Sequence, residues 1–75
     1  MKRMTASQYR HARETLGWTH EHIGAVLGVD LRTSYRYSAG DVEIPEPSAR
    51  LVRLLVRVRL TMSKRKFGEL VEELH

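Results

Sequence analysis

No cysteine occurs among the 75 residues of this chain. Neither a disulfide framework nor a thiolate metal site can therefore supplement its core, and a reducing compartment suits it. A long apolar run is also missing. The opening "MKRMTASQYRHAR" contains no leader-like apolar stretch, and the most apolar segment, 51–62, is interrupted by Arg53, Arg57 and Arg59. Neither a secretory leader nor a membrane span is expected, and a soluble, cytoplasmic chain is. Catalytic signatures are lacking as well: there is no nucleophile elbow, phosphate-cradling glycine loop or pair of carboxylates set for acid–base work. A core this small encloses no deep pocket, so neither an enzyme nor a cofactor is expected. The "HEH" at 20–22 invites a metal reading, but His20 and His22 stand about 200° apart on a helix. Helical zinc pairs need H-x-x-x-H, so no metal site is expected there. Internal repeats and low-complexity stretches are absent.

What the chain does have is positive charge. Thirteen Lys and Arg against nine Asp and Glu give a net charge of +4 and point to a polyanionic partner such as nucleic acid. Seventy-five residues suffice for one domain with a marginal core, which a second chain would reinforce.

Helix signals recur along the chain. Thr5 and Gln8 have capping-box spacing, and Tyr9, Ala12, Arg13 and Leu16 follow on one face of a first helix ending at Gly17. Thr19 caps a second, with Trp18 and Ile23 in staple positions and Ile23, Val26 and Leu27 as its apolar stripe; Gly28 stops it. Asp30 caps a third through Tyr37, and "SAGDVEIPEP" is a loop. From Pro47, Leu51, Leu54, Leu55, Val58 and Met62 form one face, and Arg50, Arg53 and Arg57 another, expected to pair with Glu69, Glu72 and Glu73. A further row, Val56, Leu60, Ser63, Phe67, Leu70 and Leu74, alternates by four and three, the spacing of a lengthwise helix seam. Such a seam predicts self-association through Val56, Leu60, Phe67, Leu70 and Leu74. The last helix is either continuous or broken near Ser63. The chain is thus expected to be all-α, a bundle of four to five helices, with a main domain at 5–62 and a helical extension at 63–75.

Two helices joined by a tight glycine turn, the second short and polar on its outer side, describe a helix-turn-helix whose second helix enters the major groove. Gly24 allows a close approach, Gly28 makes the turn and Val29 fills the angle. Arg32, Tyr35 and Arg36 are then free to face bases, where an arginine fork can bond guanine O6 and N7, and Leu31 to meet a thymine methyl. Thr19, His20 and Thr33 are expected at phosphates. The Lys-rich "SKRK" offers further phosphate contacts without sequence preference.

The run "RETLGWTHEHIGAVLGVDLRTSYRYSAGDVEIPEPSARLVRLL" resembles the Cro and lambda-repressor type helix-turn-helix regulators, the xenobiotic-response-element family. The likeness, to R-x-x-L-G-x-[ST]-Q-x-x-[LI]-A-x-x-L-G-V-S-x-x-T-[VI]-x-R-W-E-x-G, covers about 7–58. It implies a small lambda-repressor-like bundle, base-edge roles for Leu31, Arg32 and Arg36, and a phosphate role for His20. Departures are His20 for glutamine, Ser34 for a buried valine or isoleucine (a looser contact between helices), Tyr37 for tryptophan, and Ser38 for glutamate. The last would leave Arg13 to seek Asp41, Glu43 or phosphate. The resemblance implies a bacterial or phage transcriptional regulator, a homodimeric (auto)repressor on a palindromic double-stranded operator, its half-sites about 34 to 36 Å apart or a multiple of that. A DNA-binding antitoxin, a protein-interaction module retaining the fold, and a membrane-surface helix over 50–66 are the rivals; no membrane binding is expected.

Overall fold

A computed structural model of the chain describes residues 3–73. They form five helices, α1 (Ala6–Leu16), α2 (His20–Leu27), α3 (Leu31–Ala39), α4 (Glu46–Thr61) and α5 (Lys64–Glu73), with no strand among the described residues. The first three begin where short-range chemistry dictates. Thr5 Oγ1 accepts from the Gln8 N–H at 3.1 Å, while Gln8 Oε1 accepts from the Thr5 N–H at 2.9 Å, closing the capping box. Thr19 Oγ1 accepts from the His22 N–H at 3.1 Å, and Asp30 Oδ1 from the Thr33 N–H at 2.8 Å. Each of the three ends at a glycine, although α3 continues two residues past Tyr37 before Gly40 stops it.

The core gathers Tyr9, Ala12 and Leu16 of α1, Ile23 of α2, Tyr37 of α3 and Ala49, Val52 and Leu55 of α4. Of the expected face of α4, Leu55 is buried and Leu51, Val58 and Met62 pack against the core, while Leu54 does not, and Ala49 and Val52 join it. Val52 is fully buried, whereas Leu54 is 57% exposed and Leu51, Val58 and Met62 are half-buried. The inward direction is set by packing on α1, and the stripe centred on Ala49, Val52 and Leu55 lies to one side of Leu51 and Leu54.

The last helix is broken, not continuous. The Thr61 hydroxyl donates to the Val58 carbonyl at 2.9 Å, and Met62 takes an extended conformation. Arg59 Nη1 reaches the Met62 carbonyl at 3.3 Å, and Ser63 Oγ accepts from the Lys66 N–H at 3.3 Å to start α5. The four-three row is therefore divided between two helices. Phe67 is buried in the core of its own chain, stacked on Trp18 at 5.8 Å, while Val56 and Leu70 are half-buried and Leu60 is 70% exposed. Leu74 lies outside the described residues. The same break interrupts the amphipathic stretch 50–66, whose inner residues Val52 and Leu55 are occupied by the core.

The arginine stripe also finds a different partner from the one expected. Arg50 and Arg53 reach back to Glu46 at 3.3 and 3.4 Å, and Glu69 pairs with Arg65 at 3.7 Å. No helix among the described residues is long and apolar enough to cross a membrane.

Candidate nucleic-acid interface

The α2–α3 junction depends on two glycines. Gly28 has φ +75°, a left-handed conformation that side chains disfavour, and the next N–H, of Val29, donates back to the Gly24 carbonyl at 2.8 Å. A Cβ at Gly24 would lie 3.1 Å from the Val29 carbonyl oxygen, so the turn folds directly onto α2 at that point. Val29 is half-buried against the core, which pins the angle between the helices.

With this turn fixed, α3 sorts its residues by face. Ser34 and Tyr37 point inward and are buried. Leu31 and Tyr35 are 47% and 55% exposed, large values for apolar and aromatic side chains, and Arg32 and Arg36 are exposed beside them. The four residues expected at base edges thus share the outward side of α3. Asp30 stays ionised, since donation from the Thr33 side chain and backbone holds its carboxyl below its ordinary value, with Arg32 and Arg36 adding to the effect. The expected phosphate residues behave differently from one another. Thr19 is exposed and its oxygen accepts at the α2 cap, leaving the hydroxyl proton free to donate outward. Thr33 is half-buried and turned toward Asp30.

His20 belongs to a polar relay that residue spacing does not reveal. Ser34 is fully buried, with its Oγ 2.7 Å from the Tyr9 hydroxyl and 2.9 Å from His20 Nδ1. One hydroxyl thereby joins α1, α2 and α3, and the looser contact expected from serine at this position is replaced by two hydrogen bonds. Only one order of donors satisfies all three side chains: Tyr9 O–H donates to Ser34, and Ser34 O–H donates to a neutral His20 Nδ1. The remaining proton of that imidazole is then on Nε2. Protonating His20 would force Nδ1–H to donate to Ser34 and would leave one of the two hydroxyl protons, of Ser34 or of Tyr9, without an acceptor in the relay. Consistent with this, burial and the nearby Arg13 hold the His20 pKa below its ordinary value, and burial raises that of Tyr9. The His20 ring also stacks on Tyr35, with centroids 4.1 Å apart, so the inner relay is coupled to an outward side chain of α3.

Two arginines of α1 brace the same unit from behind. Arg13 Nη1 donates to the Trp18 carbonyl at 2.9 Å, which corrects the expectation that it seeks Asp41, Glu43 or phosphate, and Arg10 Nη1 donates to the Ser38 carbonyl. Arg13 Nε and Ser38 Oγ are buried with no hydrogen-bond partner among the described residues. Glu43 instead pairs with Arg3 at 2.7 Å. The signal that could have exposed the relay is a lone serine on the buried stripe of α3, since a buried hydroxyl requires partners. Among the described residues no cluster of three or more His, Asp or Glu is placed to hold a metal ion. No family model matches the chain, and comparison with curated proteins and with solved structures yields no significant match.

Proposed function

We propose that this chain is a sequence-specific double-stranded DNA-binding regulator of the helix-turn-helix type, inserting α3 into the major groove. The observation that carries this reading is the division of α3. Its inner side is locked by Ser34 and Tyr37, while Leu31, Arg32, Tyr35 and Arg36 stand together outside on a chain of net charge +4. In this reading Arg32 and Arg36 read base edges, Leu31 packs on a thymine methyl, and Tyr35, steadied by the His20 ring, covers the adjoining base. Thr19 Oγ1 and His20 Nε2 donate to phosphates flanking the site and fix the register. Thr33 contributes by its position at the start of α3, where helix N-termini favour anions.

A monomer of this size makes few contacts, so two chains on an inverted repeat supply the affinity of an operator complex, and occlusion of a promoter makes the chain a repressor. Random-sequence DNA selection at about 150 mM salt tests the reading where nonspecific attraction is screened. Recovery of a defined motif, with Arg32→Ala and Arg36→Ala each losing about 1 to 3 kcal/mol and relaxing choice at one base, is the expected result. A motif-free pool whose retention depends only on salt would refute sequence reading.

A further inference from the structure

On the far side of α1 the surface contains a second, unrelated feature. An open groove of about 670 Å³ runs between α1 and α4, within the size range of clefts that bind ligands or anchor side chains. Its floor is apolar, formed by Met4, Ala12 and Val56, and its rim carries His11, Arg53 and Arg57 with no carboxylate in the lining. Arg53 and Arg57 are one turn apart on α4. Arg53 leans toward Glu46 at 3.4 Å, and Arg57 is exposed. The arginine stripe that α5 was expected to neutralise therefore borders an apolar channel.

No residue of α3 lines the groove among the described residues. Arg10 and Arg13 of α1 are drawn to the Ser38 and Trp18 carbonyls, whereas Gln8 and His11, each about 160° around the helix from one of them, line the groove. An occupant of the groove leaves the outward face of α3 uncovered.

We propose that this groove is a docking site for an acidic amphipathic helix of a partner protein. Its apolar residues, spaced by three and four, seat on Met4, Ala12 and Val56, and carboxylates on its flank lie along Arg53 and Arg57. The charge distribution selects this occupant over the obvious rivals. A second copy meeting groove to groove about a two-fold axis would set Arg53 and Arg57 against their own counterparts. A nucleic-acid backbone would leave the apolar floor unused.

The test is display selection on the intact chain, using a library of helical peptides about 18 residues long with apolar positions fixed at three-four spacing and flanking positions varied among Glu, Gln and Lys. Enriched sequences are expected to carry Glu on one flank, to perturb the amides of Ala12 and Val56 in NMR titration, and to weaken as salt rises. Arg57→Glu, an exposed change with no demand on the core, should weaken the best Glu peptide about tenfold and favour its Lys counterpart. Enrichment of neutral or basic flanks, binding indifferent to Arg57→Glu, perturbation elsewhere on the surface, or no enrichment at all would overturn the proposal. So would amide shifts at Ala12 and Val56 that grow with protein concentration in the absence of peptide, since a second copy would then be the occupant. DNA is not needed in any arm, so the outcome is independent of the operator reading.

Discussion

Helices α3 and α5 are nearly the same length, nine and ten residues, and are attached to the bundle in opposite ways. The inner side of α3 is joined by direction-dependent bonds: Ser34 meets Tyr9 and His20, and the Tyr37 ring meets the Tyr9 ring edge-on at 5.6 Å. By contrast, α5 rests on apolar contact, with Phe67 stacked on Trp18 and Val71 buried nearby. Apolar contact tolerates small shifts, because burial energy follows area and not angle. Hydrogen bonds made by a buried hydroxyl do not. The helix that carries the candidate base-reading residues is thus fixed in rotation and register, and the terminal helix is fixed only in place.

The attachment of α5 depends most on Phe67. Phe67→Ala should cost about 3 to 5 kcal/mol, read in chemical denaturation, because it removes most of the apolar anchor of α5. Amide exchange should rise in α5 first while α1 to α3 remain protected, and uniform loss of protection would show instead that α5 is integral to the bundle. Ser34→Val should cost about 1 to 3 kcal/mol despite its greater apolarity, because it strands the Tyr9 hydroxyl; adding Tyr9→Phe should recover part of the loss. A neutral or stabilising Ser34→Val would show that the relay is dispensable.

Gly68→Ala sharpens the comparison in the other direction. A Cβ there meets nothing within 4 Å, so the substitution should stabilise α5 by about 1 kcal/mol, seen as a higher denaturation midpoint. The smallest effect is that of pH. The His20 pKa is lowered in the folded chain, so the unfolded chain takes up the proton first as pH falls below about 6.5. Its contribution to stability is fully present above that value and declines through the window below it. Denaturation midpoints measured on either side of pH 6.5 should therefore differ less in His20→Gln than in the parent chain.

Legibility in the sequence followed the range of the interaction. Thr5, Thr19 and Asp30 announced their helices because a cap bond spans three residues and depends on residue type; Gly17 and Gly28 announced the ends of the first two, while α3 runs past the expected Tyr37 to Gly40. Leu31, Arg32, Tyr35 and Arg36 were legible as a set because one helical face follows from spacing once the cap is known. The face of α4 was legible at Leu55 but not at Ala49 and Val52, because the exact inward direction depends on where α1 lies. The relay was missed because its partners are 14 and 25 residues from Ser34, and serine at that point looks like a weakened apolar contact. The break at Ser63 was left open although its chemistry is local, since the four-three row argued for continuity with equal force.

The short range of those caps bears on the order in which the chain is made. The boundaries of α1, α2 and α3 are all settled by bonds reaching no further than Asp41, so the first three helices can be marked out while α4 is still being synthesised. Marked out is not packed: Ala49, Val52 and Leu55 follow with α4, and Phe67 and Val71, part of the same core, follow with α5. On the ribosome, then, the bonds that orient α3 are all within the first three helices, and the core beneath them closes only as α4 and then α5 emerge.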